Sequence, residues 1–132
     1  MKILMIEDNP YKAEMIRQIL EGLELAGIEL EEPDHETNLE NGIAALKQQS
    51  YDLLLLDMYF PLEPDGYEYP MCGLQVLDWL EEEERHFPII ITSTEKMDLV
   101  DYADVIGQVQ FGWDDEAFRM QELIEQIPLL YP

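Results

Sequence analysis

Basic residues are scarce. Seven Lys and Arg stand against 30 Asp and Glu among 132 residues, a formal net charge of −23. A field of that sign repels phosphate backbones and anionic lipid surfaces, so direct nucleic-acid and membrane binding are excluded as expectations. The acidic excess reads either as an aid to solubility and monomericity or as an attraction for cations or a basic partner. Cysteine is nearly absent: Cys72 alone cannot form an internal disulfide or a multi-cysteine zinc site, and reads as a small packing residue. Only two histidines occur, His35 and His86, far apart and read as loop or surface residues, which disfavours a histidine-based metal centre. No apolar run approaches the roughly 20 residues of a membrane span. The opening MKILMIEDNP turns acidic too soon for a signal peptide. These absences predict a cytoplasmic protein. With 47% apolar residues the chain can bury a real core, and its length suits one domain over 1–132.

The chain alternates between two periods. Residues 2–6 form an apolar run ending at Glu7-Asp8, the pattern of a buried strand. Asn9 and Pro10 suit the cap and first turn of a helix. Its apolar stripe is Met15, Ile16, Ile19, Leu20 and Leu23, and Gly27 ends it. Residues 28–32 alternate weakly as a second strand, and 33–38 read as a loop. Leu39, Ile43 and Leu46 mark a helix over 39–49. Leu53 to Leu56, closed by Asp57, gives the strongest strand signal. Residues 61–72 hold three prolines and a glycine, so they form a loop. Its tyrosines among acidic residues suit a lid or partner surface. Leu74, Leu77 and Leu80 mark a third helix running into a solvated Glu81–Glu84 block. Ile89–Ile91 is a strand closed by Thr92-Ser93-Thr94, a short helix is expected over 96–103, and Val105–Phe111 is a fifth strand. A last helix covers 114–127, with Phe118, Leu123, Ile124 and Ile127 inward.

Repeated strand–helix alternation predicts an α/β fold, a doubly wound five-stranded parallel sheet. Ligands of such sheets bind outside the carboxyl ends of the strands. Those ends carry Glu7, Asp8, Asp57, Thr92 and Ser93. Close carboxylates raise one another's pKa unless a cation neutralises them, and a hard divalent ion such as Mg²⁺ is the simplest one. Carboxylate, metal and hydroxyl together suit phosphoryl transfer to a carboxylate.

Three segments carry a resemblance: KILMIEDNP at residues 2–10, YDLLLLDMYFP at 51–61, and PIIITSTE at 88–95. In this order they resemble the response-regulator receiver domain of two-component phosphorelay signalling, over essentially the whole chain. The resemblance implies a flavodoxin-like sheet in the order 2-1-3-4-5. It implies Asp57 as phospho-acceptor, and Mg²⁺ held by Asp8, Asp57 and the Tyr59 carbonyl, with Glu7 acting through water. It implies Ser93 as the switch hydroxyl, with Thr92 the alternative one residue away. The implied partners are a histidine kinase or phosphotransfer protein and a downstream protein, in a signalling module rather than an enzyme.

The pattern also departs from the family. The lysine usual at the end of the fifth strand is missing; Phe111, or Gln110 in a shifted register, stands there, and Gln108 or Gly107 replaces the switch aromatic. Losing that lysine removes a charge-assisted contact, so slow phosphorylation with little conformational change is expected. Lys96 is the one substitute in that neighbourhood. The segment from Pro61 to Gly73 is longer than usual, and the one from Ser93 to Phe111 is shorter. No output domain is expected after the last helix. The first reading is therefore an atypical stand-alone receiver. The second is a pseudo-receiver that binds partners without phosphorylation. An aspartyl phosphatase would resemble Asp-x-Asp, but Tyr59 stands two past Asp57. A flavodoxin-type carrier needs a hydroxyl- and glycine-rich loop where Asp8-Asn9-Pro10 lies.

Overall fold

Runs of three or four consecutive apolar residues are buried on both sides only when helices cover both faces of a sheet. The computed structural model, which describes residues 1–132, has that arrangement. Strands β1 (Ile3–Ile6), β2 (Asp34–Glu36), β3 (Leu53–Leu56), β4 (Ile89–Ile91) and β5 (Val105–Gln108) form one parallel sheet in the order β2-β1-β3-β4-β5. The helices are α1 (Pro10–Leu25), α2 (Leu39–Gln48), α3 (Cys72–Glu82) and α4 (Glu116–Leu130).

Side-chain alternation splits the core in two. Ile3, Met5, Leu53, Leu55 and Ile90 face α1 and α4, meeting Ile16, Leu20, Leu23, Met120, Leu123 and Ile127. Leu4, Ile6, Leu54, Leu56, Ile89 and Ile91 face α2 and α3, meeting Leu46, Val76, Leu77 and Leu80. Each buried side chain contributes about 1.5–3 kcal/mol. Cys72 packs fully buried in the second layer.

Asn9 caps α1, accepting from the backbone N–H groups of Tyr11 at 2.9 Å and Lys12 at 3.2 Å. Gly27, at φ 102°, supplies the left-handed residue that turns the chain out of α1. Gly73 is demanded by contact. A Cβ there would lie 2.7 Å from the Asp57 carbonyl oxygen and 2.8 Å from Met58 Cα. The first turn of α3 therefore rests directly on the chain leaving β3.

Several elements differ from the sequence expectation. The second strand is Asp34–Glu36 and not 28–32. Residues 28–32 instead form the connection, tied by the Glu31 N–H to the Met1 carbonyl at 3.0 Å. The expected 33–38 loop thus holds the edge strand, and His35 is half-buried in it. No helix forms over 96–103; the stretch is irregular chain that passes into turns from Val100, and only four helices flank the sheet. Its apolar residues are too few and irregular to stabilise a stripe. β5 ends at Gln108, although the Val109 and Phe111 N–H groups still bond to Ile91 and Ser93 carbonyls. Met15 and Phe118 lie exposed outside their helix stripes. Residues 62–69 are a largely exposed loop, with Tyr67 and Tyr69 in solvent. Its N-terminal end is anchored where Leu39 and Glu40 N–H groups bond to the Pro61 and Leu62 carbonyls.

Candidate functional site

Parallel strands carry their carboxyl ends to one edge, so β1, β3 and β4 deliver Glu7-Asp8, Asp57 and Thr92-Ser93 side by side. The register is fixed by backbone bonds: Asp57 N–H to the Ile6 carbonyl at 3.1 Å, and Thr92 N–H to the Leu56 carbonyl at 2.9 Å. Glu7, Asp8 and Asp57 each offer an oxygen lying within 4.8 Å of the others. Glu7 is fully buried, Asp57 nearly so, and Asp8 half-buried.

Glu7 is positioned from three sides. Its N–H donates to the Glu36 carbonyl at 3.0 Å. Its Oε2 accepts from the Asn9 N–H at 3.2 Å. Its carbonyl lies 2.7 Å from His35 Nε2, while Arg17 lies 2.8 Å from His35 Nδ1. A carbonyl only accepts and a guanidinium only donates, so the His35 proton sits on Nε2. The sequence-based placement of His35 in an idle loop is corrected by this bridge between α1, β2 and the site.

Burial, then the neighbouring Asp57 charge, pushes the Glu7 carboxyl from 4.5 to about 7, against the opposing pull of Lys12. Asp8 is raised for the same reasons, burial first and Asp57 second.

Lys12 is the residue that sequence reasoning missed. Its Nζ lies 2.9 Å from Glu7 Oε1 and 3.2 Å from Asp57 Oδ1, and its side chain is 9% exposed. It also stands 5.5 Å over the Phe111 ring, a cation–π distance. The expected absence of a cation at this corner is thus corrected: α1 supplies one where the end of β5 does not. Lys96, weighed as a substitute, is exposed. A signal was present. Four residues before Ile16, Lys12 falls on the inward stripe of α1, and a cation in a first turn opposes the helix dipole unless acids hold it.

Glu7 Oε1 has the Lys12 ammonium as its one polar contact. No backbone N–H donates to the Tyr59 carbonyl either. A buried carboxylate oxygen with that single partner, two further carboxylates and a free carbonyl are a fitting donor set for a hard divalent ion. Three carboxylates and one lysine leave two negative charges when all are ionised, which such an ion balances.

Ser93 and Thr92 are both buried. Ser93 Oγ accepts from the Glu95 N–H at 3.2 Å in a local turn, since no helix follows for it to cap. Thr92 Oγ1 has no partner. Gln108 fastens the following loop: its Oε1 accepts from the Met97 N–H at 3.0 Å, and its Nε2 donates to the Glu95 carbonyl at 2.6 Å and the Ser93 carbonyl at 3.3 Å. The residue that replaces the switch aromatic is therefore a polar clamp.

The sequence profile of the response regulator receiver domain matches residues 3–115. Among curated proteins there is no sequence match. Solved structures share the fold. The N-terminal domain of a response regulator/sensory box/GGDEF 3-domain protein from Carboxydothermus hydrogenoformans is 19% identical, with a TM-score of 0.70, covering 99% of this chain and 96% of its own. A signal receiver domain of an HD domain-containing protein from Pseudomonas fluorescens Pf-5 is 12% identical at TM-score 0.72, covering 98% and 94%. The receiver domain of a signal transduction histidine kinase from Syntrophus aciditrophicus is 21% identical at TM-score 0.65, covering 98% and 92%. No helix of the chain is long and apolar enough to cross a membrane. A profile match over most of its length, on a flavodoxin-like sheet ordered 2-1-3-4-5, makes this chain a member of the response-regulator receiver domain family of two-component signalling.

Proposed function

We propose that Asp57 accepts a phosphoryl group from a histidine kinase or phosphotransfer protein, and that the domain signals by binding a downstream protein. The observation that carries this reading is the convergence of Glu7, Asp8 and Asp57 within 4.8 Å at the carboxyl edge of the sheet. Asp8, Asp57 and the Tyr59 carbonyl would hold Mg²⁺, with Glu7 acting through water. When bound, the ion neutralises charge on the transferring group.

In the transfer, an Asp57 carboxylate oxygen attacks phosphorus, the phosphorus–nitrogen bond to the donor histidine breaks, and the released imidazole takes up a proton. Asp57 is held for this by backbone bonding on both sides of β3 and by α3 seated on its carbonyl. The Ser93 hydroxyl, free to donate, would hold a phosphoryl oxygen; the unpartnered Thr92 hydroxyl is the alternative.

Treatment with acetyl phosphate and Mg²⁺, followed by intact mass, tests the assignment. The protein should gain one phosphate, and Asp57→Asn should gain none. A pseudo-receiver would gain none in either form.

A further inference from the structure

We propose that Lys12 is the fixed cation that receives the phosphoryl group at Asp57, a contact supplied from the first turn of α1. The inference rests on Asp57 being the acceptor. Lys12 is the one basic side chain in ionic contact with the carboxylate cluster. It is held on three sides, by Glu7, by Asp57 and by the face of Phe111. Nearly all of its side chain is shielded from water, so its charge acts with little screening.

A phosphoryl group joined to Asp57 adds negative charge beside Glu7 and Asp8. Its oxygens lie two covalent bonds, through phosphorus, from the Asp57 oxygen that carries it, and Lys12 already contacts the Asp57 carboxylate at 3.2 Å. The ammonium has three donors. It can turn one toward the new oxygens and keep Glu7 as partner. In the free protein the same charge neutralises part of the cluster, so Lys12 and a divalent ion compete for Glu7 and Asp57. Phe111 has its own part: an aromatic ring facing the Lys12 ammonium at 5.5 Å helps hold the cation at the site without adding a second charge.

In the acetyl phosphate reaction, the Asp57 oxygen–phosphorus bond forms as the phosphorus–oxygen bond to acetate breaks, and acetate leaves. Wild type, Lys12→Met and Lys12→Arg are compared by intact mass over time, with Mg²⁺ affinity measured by titration. Lys12→Met keeps most of the stem and loses the charge. It should be phosphorylated about 10- to 100-fold more slowly, while binding Mg²⁺ as tightly as wild type or tighter. Lys12→Arg should recover part of the rate. Because Lys12→Met strands two buried carboxylates, the pair Glu7→Gln and Glu7→Gln/Lys12→Met repeats the comparison with one of those carboxylates removed, the double variant keeping the wild-type net charge; the double variant should be slower than Glu7→Gln. Equal rates for wild type and Lys12→Met, or within the Glu7→Gln pair, overturn the role of Lys12 and leave Asp57 as acceptor. Absence of any mass gain in wild type removes the acceptor reading, and this inference with it.

Discussion

Replacing Glu7 by Gln should stabilise the metal-free protein at alkaline pH and lose that advantage in acid. Glu7 is fully buried, and its carboxyl is raised from 4.5 to about 7, by burial first and Asp57 second. A carboxyl that is harder to ionise when folded costs the native state free energy wherever it is ionised in the unfolded chain. The cost is complete above about pH 7 and is relieved as pH falls toward 4.5, because the folded protein takes up the proton first. Going from 4.5 to about 7 corresponds to about 3 kcal/mol, at about 1.4 kcal/mol per tenfold. The Lys12 attraction is already contained in that balance. Glutamine has nearly the same shape and no charge, so it escapes the penalty. Urea unfolding of wild type and Glu7→Gln, with chelator present, should show a gap of about 2–3 kcal/mol near pH 8 that closes near pH 5. In thermal unfolding the same gap corresponds to roughly 10 °C. Excess Mg²⁺ should shrink it, since an ion that binds the folded wild-type site more tightly than the folded variant stabilises wild type more. A Glu7→Gln protein less stable than wild type at pH 8, or a gap unchanged between pH 8 and pH 5, would refute the reasoning. The Lys12 ion pair would then outweigh the desolvation of Glu7.

Asp8→Asn should raise the stability of the metal-free protein modestly, because Asp8 is raised by burial and by Asp57, and should weaken Mg²⁺ binding by about tenfold or more; calorimetric titration beside thermal melts checks both. Gly73→Ala should cost about 1–3 kcal/mol, because its methyl would meet backbone on the Asp57–Met58 segment and the helix must shift; it should also slow phosphorylation of Asp57, and a neutral effect in both assays would contradict the contact. Gln108→Ala should release the bonds that fasten Ser93, Glu95 and Met97, seen as faster amide exchange across 94–98 with the sheet amides unchanged.

Sequence alone determined the strands that form the centre of the sheet and the residues at their ends. Ile3–Ile6, Leu53–Leu56 and Ile89–Ile91 are apolar on both faces, and only a parallel sheet covered by helices hides such runs. Once the order of the strands is set, Glu7, Asp8, Asp57, Thr92 and Ser93 must share one edge. The motif order carried the family as well. The margins were decided by tertiary structure. The edge strand Asp34–Glu36 is polar and pairs on one side only, so it has no apolar pattern to announce it; β1 selects it through its backbone ladder. The stretch 96–103 lacks a stripe to bury, and the clamp from Gln108 shapes it instead. Lys12 is the clearest case. Its helical position was readable from Ile16, but its partners lie just past the ends of two strands, one of them 45 residues away. Charge pairs of that kind carry no periodicity, because they are made by distance in space and only the packed sheet sets that distance.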